Sequence, residues 1–164
     1  MLLFIFIAKS QTMIHNDWKI VDNEDFYFRY PKNWTLDISG QMGSSFIIFS
    51  ELSSAKDNFR ENINLLIQDL QNQPIGLDKF VEISSNQIKI NVKNGKIIES
   101  RRIKGTKSDF HKMIYSGDKT NKRYKFEQYY WIKSGAAYML TLSCEFIEFD
   151  KYKATGEAIM NSFE

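Results

Sequence analysis

The residues with chemical potential crowd into one stretch. From Lys89 to Lys133 there are 13 lysines and arginines against 4 acids, net +9; the rest of the chain carries 9 basic and 16 acidic residues, net −7. Within it, Arg123 to Lys133 reads RYKFEQYYWIK. In an extended chain Arg123, Lys125, Glu127, Tyr129, Trp131 and Lys133 fall on one face, and Tyr124, Phe126, Tyr130 and Ile132 on the other. Cations mixed with aromatic rings are characteristic of binding faces. Arg123, Lys125, Tyr129 and Trp131 are therefore the candidate binding residues. Their chemistry is electrostatic attraction, first to an acidic protein partner and second to anionic lipid headgroups. Two structural readings compete. Lysines guard sheet edges against aggregation, and they snorkel around a sheet face that a helix covers.

Bond-making chemistry finds little support. The one cysteine, Cys144, shares the parity of Tyr138, Leu140 and Leu142, as a buried small apolar side chain would. A nucleophile needs a base or a positive field beside it. His15 and His111 are far apart, no H-E-x-x-H or paired cysteines occur, and no metal site of standard spacing results. Glu145, Glu148 and Asp150 form an acidic group that suits the entrance of a helix. Gly-rich phosphate loops are missing. Neither a catalytic residue, nor a metal, nor a cofactor is expected. The overall charge of +2 gives no reason to expect a nucleic-acid partner.

Elements must position these residues. A chain of 164 residues, 43% hydrophobic and 26% charged, is long enough for one domain with a full core and no staples. Met1 to Ala8 is wholly apolar, too short to span a membrane, and Ala8-Lys9-Ser10 matches a small-x-small cleavage pattern. Residues 1–10 are therefore expected to be an imperfect or truncated signal peptide, and residues 18–164 a single domain. An N-terminal strand of a cytoplasmic domain is the rival reading. Trp18–Val21 and Phe26–Tyr30 read as strands, and Pro31 ends the second. Trp34 is expected to fold back onto the core, which makes DFYFRYPKNW the first strand and corner of the sheet. Ser45–Ser50 reads as a strand covered on both faces, and Asn62–Leu70 as the next. Leu77, Phe80, Val81, Ser84 and Ile88 make a helical stripe, with Asn94-Gly95 as its cap. Four strands follow: Lys96–Ile103, Phe110–Ser116, Tyr124–Ile132 and Ala136–Phe146. Turns are expected at Gly105, Gly117-Asp118 and Ser134-Gly135. Tyr152, Thr155, Ile159 and Phe163 stripe a last helix, with Asp150 as N-cap. The order predicts an α+β fold, an antiparallel sheet sandwiched between helices.

Phe26-x-Phe28-x-Tyr30-Pro31-x-x-Trp34 resembles the F-x-Y-P-x-x-W signature of PsbP-like proteins. Leu77-Asp78-Lys79-Phe80-Val81 resembles that family's mid-chain helix start. Tyr138-x-Leu140-Thr141-x-Ser143, Phe149-Asp150-x-Tyr152 and Ser162-Phe163 resemble its last strand and closing helix. The resemblance runs from Trp18 to the end and implies an α/β/α sandwich. It also implies a non-enzymatic protein that binds or stabilises other proteins. The family includes extrinsic photosystem II subunits, Ran-binding nuclear import factors, DcrB-like bacterial envelope proteins and chaperones of secreted effectors. Manganese has been linked with photosystem relatives, but no carboxylate–histidine cluster carries it over. The reading favoured is an accessory protein of the bacterial envelope, periplasmic or secreted. An intracellular chaperone of apolar client segments is the alternative, and a hydrolase with an unrecognised site a minor one.

Overall fold

A computed structural model describes residues 17–105 and 108–164. The expected signal segment 1–10 lies outside them. The apolar runs form strands β1 (Trp18–Asp22), β2 (Tyr27–Pro31), β3 (Thr35–Asp37), β4 (Phe46–Phe49), β5 (Asn62–Asp69), β6 (Lys93–Ile103), β7 (Phe110–Lys119), β8 (Lys122–Lys133) and β9 (Ala136–Glu145). Helix α1 spans Leu77–Asn91 and α2 spans Phe149–Asn161. Seven strands make one antiparallel sheet in the order β3-β4-β5-β9-β8-β7-β6. The α+β class and the helix-covered antiparallel sheet are as expected.

Two cores follow from strand parity. On one face Tyr129, Leu140 and Leu142 pack with Phe149, Ile159 and Met160 of α2 and with Phe28 of β2. On the other, Met113, Tyr115 and Tyr130 pack with Leu77, Phe80, Val81 and Ile88 of α1. The α1 stripe is thus the predicted one. β5 and β6 are not neighbours in the sheet, so α1 must cross over β9, β8 and β7 to join them.

Several local expectations are corrected. DFYFRYPKNW is not a strand of the main sheet, because among the described residues β2 pairs with β1 in a separate two-stranded sheet. The free edge of β2 is taken by the chain after α2. Tyr27 N–H donates to the Glu164 carbonyl, Glu164 N–H donates to the Tyr27 carbonyl at 2.9 Å, and Arg29 N–H donates to Ser162 Oγ. Phe28 then stacks on Phe46 of β4 with ring centroids 4.3 Å apart. Asn94 does adopt a left-handed conformation, but inside β6, where the pairing with β7 shifts register. Helix α1 has already ended in the extended Val92. Gly117 lies within β7, where a Cβ would sit 2.1 Å from the Val92 side chain; the turn is instead made at left-handed Thr120. Ser134 and Gly135 are both left-handed, as a two-residue hairpin turn requires. Asp150 is in the first turn of α2, and Glu148 occupies the N-cap position without a side-chain bond.

Gly156 in α2 is buried, and a Cβ there would lie 2.6 Å from Leu142 Cδ2. A helical glycine gives up about 1 kcal/mol against alanine, and its retention here lets α2 approach β9. Gly156→Ala should therefore destabilise the fold by about 1–3 kcal/mol through overpacking, opposite in sign to helix propensity. Trp34 is 5% exposed and meets Tyr152 of α2 edge-on, as the corner reading requires. Trp34→Ala should lower stability by about 3–5 kcal/mol. Urea unfolding of both variants checks the two values.

Candidate functional site

The α2-facing side of β8 carries Arg123, Lys125, Glu127, Tyr129 and Trp131 in line, and three environments divide it. At the first end, Arg123 is exposed, donates to Ser116 Oγ at 3.1 Å, and holds its guanidinium 4.9 Å above the Phe146 ring. Lys125 sits 4.2 Å above the Phe149 ring and 3.7 Å from Asp150, which leaves its side chain 20% exposed. The acids expected at the helix entrance are all paired: Glu145 with Lys122, Glu148 with Lys151 and Asp150 with Lys125.

In the middle, α2 covers the strand. Tyr129 is 3% exposed, so it is a core residue and not part of an open binding face. Beside it is a buried cluster that sequence reasoning missed. Lys112 of β7 lies 2.7 Å from Glu127 Oε1 and 2.6 Å from Glu157 Oε1 of α2. Glu127 is fully buried, and neither of its oxygens receives a well-directed hydrogen bond. Its carboxyl titrates above the usual range: burial opposes its charge more than the Lys112 ammonium favours it, and Glu157 adds a smaller repulsion. Burial pulls the Lys112 ammonium down, but the two carboxylates against it raise it on balance. The same surroundings push the Tyr129 phenol up, burial most of all. The signal available in sequence was only that Lys112 and Glu127 share the parity of core residues on their strands.

At the far end, Trp131 is half-buried among Phe110, Tyr129 and Phe163. It opens onto a cleft of about 590 Å³ lined also by Ile132, Tyr138, Lys133 and Asp25. The four candidate residues are therefore not brought together. Arg123 and Lys125 stand at one end, Trp131 at the other, and Tyr129 is covered between them.

Catalytic geometry is poor. Cys144 is fully buried, and burial pushes its thiol far above the reactive range. Ser100 Oγ lies 2.8 Å from His111 Nε2, and burial lowers the pKa of that imidazole. Among the described residues no carboxylate bonds the other ring nitrogen to orient it, and Asp78 and Asp109 are held by Arg102. Among the described residues no cluster of three or more acids, histidines or cysteines could hold a metal. No described helix is long and apolar enough to cross a membrane.

The buried cluster generates a pH prediction. Glu127 has a raised pKa in the folded chain, so it stabilises fully below the ordinary carboxylate pKa. That stability is lost as pH rises through the folded value. Lys112→Met, which removes its counter-charge, should cost about 3–5 kcal/mol near neutral pH. The loss should shrink toward pH 4, where Glu127 takes up a proton. Adding Glu127→Gln to Lys112→Met should recover most of the neutral-pH loss. Denaturant melts across pH report both effects.

No family profile and no curated protein matches the chain. Solved structures do. Cyanobacterial PsbP (CyanoP) from Synechocystis sp. PCC 6803 superposes with a TM-score of 0.62 at 13% identity, covering 96% of this chain and 98% of that one. LpqN of Mycobacterium tuberculosis, described as involved in cell envelope biogenesis, gives 0.61 at 13% identity over 89% and 88% of the two chains. A Pseudomonas aeruginosa protein of unknown function, PA94, gives 0.62 at 9% identity over 88% and 94%. Identities this low carry the architecture and not the activity. The two-faced antiparallel sheet, its covering helices and the order of its elements have the PsbP-like fold.

Proposed function

We propose that this chain is a non-enzymatic accessory protein of the bacterial cell envelope, acting by binding an acidic surface of another protein. One observation carries the reading. The cationic stretch 89–133 runs through β6, β7 and β8, which are adjacent strands at one end of the sheet. The stretch thus gathers its cations on three adjacent strands, and those not paired with acids of α1, α2 and β9 can attract an acidic partner. The envelope role of LpqN, a protein of the same fold, supports the location. The inert Cys144 and the incomplete Ser100–His111 pair support binding over catalysis.

A second reading, a chaperone of apolar client segments, is favoured by the aromatic cleft beside Trp131. The two differ in where contact is made. A photo-crosslinking residue placed in living cells at Lys119, exposed at the cationic end, should give a discrete adduct. The same residue at Met42, exposed in the turn between β3 and β4, should not. The association should weaken as ionic strength rises toward 0.15 M, where screening acts over roughly 8 Å. Adducts only from Lys133, at the cleft, would favour the chaperone. N-terminal sequencing of the fractionated protein checks the envelope location, and an intact Met1 in the cytosol would refute it.

A further inference from the structure

The main sheet ends in two very different edges. β3 presents Thr35–Asp37 only, whereas β6 presents Lys93–Ile103, eleven residues with no strand on its outer side among the described residues. An open edge of this length is a template for another strand. Natural edges are guarded with lysine and with bulges, and β6 has both. The way its charges are deployed, however, guards against one kind of partner and not another.

β6 carries Lys93, Lys96, Arg101 and Arg102 against the single acid Glu99. Two copies pairing edge to edge would set cations against cations, so a second copy is repelled. Arg101 and Arg102 are already held, the first by Glu99 at 2.5 Å and the second by Asp78 and Asp109. Lys93 and Lys96 are exposed and have no ion pair among the described residues. The pairing of Lys93 with Asp118 brings exposed Lys119 close by, at the same end of the edge. Lys93, Lys96 and Lys119 together outnumber the one acid among them, Asp118, so the Lys93 end of the edge carries net positive charge. Farther along, the bulge leaves Ile98 out of register with β7 and 49% exposed. From Glu99 to Ile103 pairing with β7 is regular again, so the outer backbone groups of this run are ordered for a ladder.

We infer that the outer edge of β6 accepts an extended segment of the partner as an eighth strand, with acidic residues against Lys93 and Lys96 and an apolar residue against Ile98. Main-chain hydrogen bonds supply the affinity in such an addition, and the flanking side chains supply the selection. The inference rests on the acidic-partner reading above and assigns it a site and a binding mode.

The test uses the full chain and three synthetic peptides. The first has an acidic half, Asp-Glu-Asp-Glu, followed by alternating Val and Thr. In the second the acids are replaced by Lys. The third has the acidic sequence N-methylated at alternate residues, which blocks ladder formation. Binding is followed by fluorescence anisotropy, and amide hydrogen exchange locates it. The acidic peptide should slow exchange along Glu99–Ile103. The Lys and N-methylated peptides should each bind roughly tenfold more weakly or worse. Lys93→Glu with Lys96→Glu should weaken the acidic peptide to a similar degree and leave the unfolding midpoint nearly unchanged. Binding without protection of β6, equal binding of the Lys peptide, or no binding at millimolar peptide would each overturn the inference. So would protection of β6 that grows with protein concentration and needs no peptide, which would identify a second copy. A Lys119 adduct in cells together with an unprotected β6 edge sinks the inference alone. Loss of the Lys119 adduct sinks the acidic-partner reading itself.

Discussion

Both faces of β7, β8 and β9 must be dry, and nearly everything else in this chain answers to that constraint. Tyr129 and Tyr130 are consecutive and both buried, one against α2 and one against α1. Met113 and Ile114 repeat the arrangement on β7. A strand with two buried faces has no solvent side on which a register slip could be absorbed, because shifting it by one residue exchanges two differently shaped cores. The crossover of α1 and the return of α2 are the means of covering those faces. The β1–β2 hairpin fills the part of the α2-side face that α2 leaves open, and the residues after α2 tie it down.

The seat of α2 is defined by contrast between tight apolar contact and buried charge. Gly156 allows the helix close to Leu142, while Glu157, the next residue, meets Lys112 and stands beside Glu127. Buried ion pairs add little net stability, since desolvation offsets most of the attraction. They penalise misplacement severely. If α2 slid by a turn, Lys112 would lose one of its two carboxylates, and Leu142 would face a side chain in place of a glycine. The cluster thus acts on the uniqueness of the packed state more than on its depth. Burial is the main reason that Glu127 holds its proton more tightly than an exposed acid, and the second carboxylate beside the one ammonium adds to it.

The same covering decides which residues remain for function. Tyr129 has the composition expected of a binding face but is withdrawn by α2, and Lys125 is half spent on Phe149 and Asp150. What stays available is the rim: Arg123 above Phe146, the lysines at the start of β6 and the tip of the β7–β8 turn, and the cleft beside Trp131. A fold whose middle is consumed by its own helices offers edges and ends to partners.

Local chemistry alone determined a great deal of this molecule. Side-chain parity separated the two faces of β8, the 3.6-residue stripe of α1 named its buried residues correctly, and Trp34 was legible as a corner anchor. These features depend on neighbours a few residues apart, which any stretch of sequence displays. The tertiary structure decided what depends on partners far along the chain. β2 pairs with residues after α2 and so leaves the main sheet, a choice made more than a hundred residues away. Thr120 and not Gly117 makes the turn; Gly117 lies within β7, where Val92 comes too close to admit a side chain. The Lys112–Glu127–Glu157 cluster joins three elements whose charges are individually ordinary. Above all, a face of alternating cations and rings has the same sequence whether water or a helix lies over it, and only the packing of α2 distinguishes the two.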